Sequence, residues 1–161
     1  MVIFYPSDWE EDASSLLLGF SSLHSEFESS NCRVYGCSTD SVASHLAWLG
    51  AEFSAGLPFP LLSDPAGHLA SRFSVFLPEE RLSIRAVVIT DTRGSELEVI
   101  TSSLGSKELA TYCLNTVRQV DNPRRAKRTP RRDPSGSRFL PKLDTTKRVS
   151  RHGLCLVYVA H

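Results

Sequence analysis

Thiols are the first groups to weigh. The chain has four cysteines, Cys32, Cys37, Cys113 and Cys155. A thiolate attacks peroxides, disulfides and electrophilic carbon, provided that a cation or a helix N-terminus lowers its pKa. Cys37 closes the run CRVYGC and precedes STDS, so it is the candidate nucleophile by position. Its other reading is a small buried strand residue, because unpaired cysteine packs as a compact hydrophobe, and that reading is favoured here. Cys32 and Cys113 read the same way. Cys155, in LCLV, is the candidate exposed thiol and could form an intermolecular disulfide. Five histidines, His24, His45, His68, His152 and His161, are scattered. They lack the paired spacing of a metal centre, so no metal or cofactor is expected. Three carboxylates, Glu10, Glu11 and Asp12, precede Ala13 where a helix should begin. Arg124, Arg125, Lys127, Arg128, Arg131 and Arg132 form a basic run suited to nuclear import or polyanion contact. With few aromatics nearby, any nucleic-acid contact would be weak and nonspecific. A solvated tail without a ligand is the favoured reading of that run.

Charge divides the chain. Residues 1–120 carry 7 basic and 15 acidic residues, and residues 121–161 carry 11 and 3. The formal net charge of zero therefore describes neither part. Residues 1–120 have the apolar content of one domain. Residues 121–161 read as a basic, Pro- and Ser-containing disordered tail with a short apolar end, GLCLVYVA, that is prone to β-structure. No apolar run reaches the ~18–20 residues of a membrane span. The opening MVIFYPSDWEED lacks a basic and then apolar leader. A cytoplasmic location is the expectation, with the nucleus as an alternative because of the basic run.

The elements that must position these groups follow from periodicity. VIFY at 2–5 reads as a strand ended by Pro6. Leu16, Phe20, Leu23 and Phe27 recur at helical spacing, which predicts one helix capped by Asp12 and ending near Ser29 or Ser30. Residues 32–37 predict a second strand, and 41–49 a helix capped by Asp40 or Ser38. Residues from Gly50 through GLPFPLLSDP read as a loop, and 67–73 as one or two helical turns. RAVVITD at 85–91 and 96–101 predict a hairpin. Residues 106–120 predict the last helix. The order is β-α-β-α-loop-β-β-α, which favours an α/β domain with a mixed sheet flanked by helices.

Five separate pieces carry a resemblance. They are VIFYPSDW at 2–9, GFSSLHSEFESSNCRVYGCSTDSVASHLAWL at 19–49, PFPLLSDPAGHLASRFSV at 58–75, RAVVITDTRG at 85–94 and the helix from Lys107 to Val120. Together they resemble the peroxiredoxins of the alkyl hydroperoxide reductase/thiol-specific antioxidant family, typical two-cysteine subgroup. The resemblance implies a thioredoxin-like fold over 1–120. It implies thioredoxin-dependent peroxide reduction, an antioxidant role in redox homeostasis, with thioredoxin or other peroxiredoxin subunits as partners in homo- or hetero-oligomers. It also implies a nucleophilic cysteine in the pattern Pro-x-x-x-Thr-x-x-Cys and an arginine that stabilises the thiolate. Pro6 and Arg85 match the Pro and the Arg. Glu10 stands at the Thr position and Ala13 at the Cys position. A methyl group cannot be oxidised to a sulfenic acid, so the expectation is a catalytically silent or very weak protein. A Glu10–Arg85 ion pair is a further expectation, because the two family positions share one pocket. Family members carry about thirty residues before the strand that VIFYP matches, so an N-terminally truncated domain with an open face or edge is expected. Two alternatives stand beside the enzyme reading: a non-catalytic assembly partner of active peroxiredoxins, and polyanion binding through the basic run.

Overall fold

The computed structural model describes residues 1–121 and 155–157. The basic run from Arg124 to Arg132 lies outside the described residues, as do the expectations attached to it. The elements are β1 (Val2–Phe4), α1 (Glu11–Ser21), α2 (His24–Ser29), β2 (Tyr35–Ser38), α3 (Val42–Glu52), β3 (Leu61–Ser63), α4 (His68–Arg72), β4 (Phe76–Leu77), β5 (Leu82–Ser83), β6 (Ala86–Thr90), β7 (Glu96–Ile100), α5 (Ser106–Asp121) and β8 (Cys155–Val157). Six strands form one sheet in the order β7-β6-β1-β2-β3-β8, and β4 and β5 pair by themselves. β1, β2 and β3 are parallel, whereas β6, β7 and β8 join antiparallel. This is the mixed sheet expected from the sequence.

Successive residues of a strand face opposite sides, and the core divides accordingly. Ile3, Tyr5, Val87 and Ile89 enter one buried cluster with Leu16, Leu17 and Phe20 of α1, Phe27 of α2, Trp48 of α3, and Leu109 and Cys113 of α5. Phe4, Cys37, Ala86 and Val88 enter a second cluster with Ala70 of α4, Phe73 and Val75. α1 and α5 lie close together. A Cβ added at Gly19 would sit 2.8 Å from the Ser106 backbone, so only glycine admits that approach.

Four expectations are corrected. The single helix over 12–30 is two helices. Ser22 Oγ donates to the Gly19 carbonyl (2.7 Å) and Leu23 leaves helical geometry, so the chain bends there. The apolar stripe survives the break, with Phe20 and Phe27 stacked at 5.9 Å. Glu10, not Asp12, is the N-cap residue of α1, and no side chain caps it. Ser41, which accepts from the Ser44 amide, caps α3 in place of Asp40 or Ser38. α3 also continues through Gly50 and Ala51, and the Pro-rich stretch after it holds β3. Three residues between prolines carry too little local pattern to mark a strand. The parallel partner β2 makes it one.

Candidate functional site

The parallel strands β1, β2 and β3 deliver their C-terminal ends to one edge of the molecule. In open α/β sheets ligands bind outside such ends. Here the three following loops meet in a buried polar cluster centred on Asp8, which is 2% exposed. Tyr5 Oη donates to Asp8 Oδ1 (3.1 Å), and Ser44 Oγ donates to Oδ2 (2.9 Å). His45 Nδ1 donates to both carboxylate oxygens at 3.0 and 2.9 Å. The other ring nitrogen, Nε2, lies 3.3 Å from the Leu62 carbonyl. Both nitrogens thus face acceptors, and the ring is held between Asp8 and the Leu62 carbonyl. The Asp8 amide donates to Asp40 Oδ2 (2.7 Å), which also accepts from Ser38 Oγ (2.8 Å). Ser63 Oγ donates to the Asp40 carbonyl (2.6 Å). A neighbouring carboxylate, Asp64, accepts from the amides of His68, Leu69 and Ala70 at the start of α4. Burial, with the Asp8 carboxylate second, pushes the Tyr5 phenol well above its ordinary value.

This cluster sets the course of the chain from β1 into α1. Tyr5 N–H donates to the Cys37 carbonyl and Ser83 Oγ donates to the Tyr5 carbonyl. Pro6 is half-buried, and Trp9 has a left-handed backbone (φ 64°) and a 57% exposed side chain. Glu10, Glu11 and Asp12 are exposed. Ala13, in the first turn of α1, is buried at 3% exposure. The expected Glu10–Arg85 ion pair is not formed. Arg85 Nη2 instead donates to the Leu104 carbonyl (3.1 Å), and its buried Nε has no hydrogen-bond partner. The carbonyl is within reach of the guanidinium, whereas Glu10 is turned to solvent at the cap of α1.

The thiols are placed in apolar surroundings. Cys37 and Cys113 are fully buried, and Cys32 is 9% exposed. Burial raises the Cys37 pKa, helped by the Asp64 carboxylate. Burial also raises those of Cys113, beside Glu98, and of Cys32. Cys37 therefore takes the packing role expected of it. Cys155 lies in β8. Trp48 is fully buried, 5.8 Å from the Tyr5 ring and 5.1 Å from Phe53, as a packing aromatic should be. Among the described residues no three His, Cys, Asp or Glu side chains gather as metal ligands. No described helix is long and apolar enough to cross a membrane.

The thiol shifts have a consequence at high pH. An unfolded thiol ionises at about 8.5. Cys37 and Cys113 stay protonated in the folded chain well above that. The unfolded state then binds fewer protons than the folded one, so stability falls as pH rises past 8.5. The expected slope is up to about 1.4 kcal/mol per pH unit for each thiol. Urea midpoints measured from pH 7.5 to 10 in Cys37→Ala and Cys113→Ala chains should show the fall reduced. An equal fall in both variants and the native sequence would refute the assignment.

The Asp8–His45 hub was missing from the sequence-derived site. Its trace in the sequence was a set of polar residues, Asp8, Ser38, Asp40, His45 and Ser63, at the ends of apolar runs. Only folding shows that they converge.

A family model described as "AhpC/TSA family" matches residues 1–95. The chloroplastic 2-Cys peroxiredoxin BAS1 of Hordeum vulgare is 32% identical over 124 residues, which is 74% of this chain and 59% of that protein. Its namesake from Spinacia oleracea is 34% identical over 130 residues, 76% of this chain and 49% of that protein. The chain spans about half the length of these curated relatives. Among solved structures, Enterococcus faecalis AhpC superposes with a TM-score of 0.66 at 26% identity, covering 76% of each chain. Mycobacterium tuberculosis AhpC superposes at 0.65 and 26% identity, covering 76% of this chain and 68% of that one. The sheet order, the helices against both of its faces and the family match over residues 1–95 agree: the chain belongs to the AhpC/TSA family of peroxiredoxins and has its thioredoxin-like fold.

Proposed function

We propose that this chain is a peroxiredoxin-family subunit that does not turn over peroxide by thiol chemistry, and that it acts as a non-catalytic binding partner of other peroxiredoxin subunits. One observation carries the reading. The first turn of α1, where the resemblance implies a nucleophilic cysteine, holds the buried methyl of Ala13. Among the described side chains no accessible thiol replaces it. Cys32, Cys37 and Cys113 are buried, and their raised pKa values keep them as thiols at neutral pH. The arginine that would stabilise a thiolate, Arg85, is engaged with the Leu104 carbonyl. Pro6 is retained at the turn, so the scaffold of a peroxide pocket outlasts its chemistry.

The test is peroxide consumption with thioredoxin, thioredoxin reductase and NADPH, run on the native sequence, Cys37→Ser and Ala13→Cys. The native chain should show no turnover above background. Ala13→Cys should remain nearly inactive, because Glu10, Glu11 and Asp12 raise the pKa of a thiol placed there and Glu10 takes the place of the Thr hydroxyl. Rapid turnover by the native chain would overturn the reading, and its loss in Cys37→Ser would name the substitute nucleophile. The partner role is tested by mixing with an active peroxiredoxin and following co-elution. A strictly monomeric profile, alone and mixed, would remove it.

A further inference from the structure

The sheet ends at β3 and then gains one more strand from the far end of the chain. Gly36 N–H donates to the Pro60 carbonyl (3.1 Å), and Asp64 N–H donates to the Ser38 carbonyl (2.9 Å). Pro60, Leu62 and Asp64 therefore turn their backbone groups toward β2. By alternation, Leu61 and Ser63 turn theirs outward. Those two residues stand level with Val157 and Cys155 of β8. Without β8 this side of β3 would be a row of unpaired N–H and C=O groups, the kind of edge that recruits another strand. With β8 in place Leu61 and Ser63 are 0% and 2% exposed.

Three features make β8 an occupant rather than a built-in part of the sheet. It pairs over three residues only. Among the described residues it neighbours one strand, β3, and α3, and no other described strand lies beyond it. It is joined to the domain through residues 122–154, which lie outside the described residues. Its covalent link keeps it at a high local concentration beside β3, which favours it over a free strand of the same sequence. Backbone pairing supplies most of the recognition in such strand addition.

We propose that the outer edge of β3 is a strand-accepting surface, that Cys155–Val157 is its displaceable occupant, and that this occupant shields the edge from a second copy of the chain. Val157 and Cys155 are the residues whose backbone faces β3, so a proline at 157 removes a donor where it is needed.

The experiment compares the full chain with its Val157→Pro variant by amide hydrogen exchange and by gel filtration over a range of concentrations. Exchange at Leu61 and Ser63 should accelerate about tenfold or more. Amides of β1 should keep their protection, and the variant should associate as its concentration rises. A synthetic peptide of residues 153–160 at millimolar concentration should restore protection and reverse the association. Unchanged exchange at Leu61 and Ser63 would overturn the proposal, as would a failure of the peptide to restore it. Loss of protection in β1 as well would make β8 an integral strand and also overturn it. None of these readouts depends on peroxide turnover or on a peroxiredoxin partner, so the proposal stands or falls apart from the proposed function.

Discussion

Asp8→Ala should destabilise the chain by about 3–5 kcal/mol, because it strips the acceptor from three buried donors at about 1–3 kcal/mol each. The carboxylate receives Tyr5 Oη, Ser44 Oγ and His45 Nδ1, and all of them lie where β1, β2 and α3 meet. Alanine leaves three donors without an acceptor in a buried site. Asp8→Asn keeps the shape but offers one acceptor oxygen and an N–H2 group in place of two acceptor oxygens. At least one donor then goes unpaired, for a cost of about 1 kcal/mol or more. A double-mutant cycle with His45→Ala separates the Asp8–His45 contact from the rest, since contacting residues are not additive. Urea unfolding at constant slope is the readout. A loss below about 1 kcal/mol in Asp8→Ala would mean that the cluster is not desolvated as the geometry requires.

Trp48 is the second position with a large expected effect. Its side chain is fully buried between Tyr5 and Phe53, and Trp48→Ala should cost about 3–5 kcal/mol through lost transfer energy and the cavity left behind. Trp48→Phe should behave differently. The indole Nε1–H is buried with no acceptor, which is itself a standing cost. Phenylalanine keeps an aromatic ring against Tyr5 and Phe53 and deletes that donor. Its net cost should stay below about 1.5 kcal/mol. Equal losses in the two variants would show that the indole N–H is satisfied and that the packing argument alone is incomplete.

Both predictions concern residues that hold the loop between β1 and α1 in place. The loop carries Pro6, the left-handed Trp9 and the exposed carboxylates Glu10, Glu11 and Asp12. Pro6, with its fixed φ, and the buried hydrogen bonds of Asp8 hold this turn in one conformation. The proposed assembly role needs that rigidity, because a surface that is already ordered loses less conformational freedom on binding.

Much of this was open to a reading of the residues. The helical spacing of Leu16, Phe20 and Phe27 named the buried stripe of α1 and α2, because a 3.6-residue period is a property of the chain itself. The β-branched run at 86–90 and the turn after it named β6 and β7 for the same reason. Cys37 was recognisable as a packing residue because unpaired cysteine packs as a compact hydrophobe, and Ala13 showed in one letter that no sulfur stands there. What tertiary structure alone decided was of two kinds. β3 is three residues among prolines, too short for a periodic signal, and it is a strand because β2 lies beside it. The break after Ser21 was likewise set by local hydrogen bonding that overrode an unbroken apolar stripe. The partner of a polar group is also a matter of three-dimensional distance. Arg85 was expected on Glu10 and is found on the Leu104 carbonyl, while Asp8 and His45, 37 positions apart, form the buried pair. Sequence spacing fixes which face a side chain takes along its own element. Which side chains from different elements come within 3 Å depends on how the strand ends converge, and that is a property of the folded sheet.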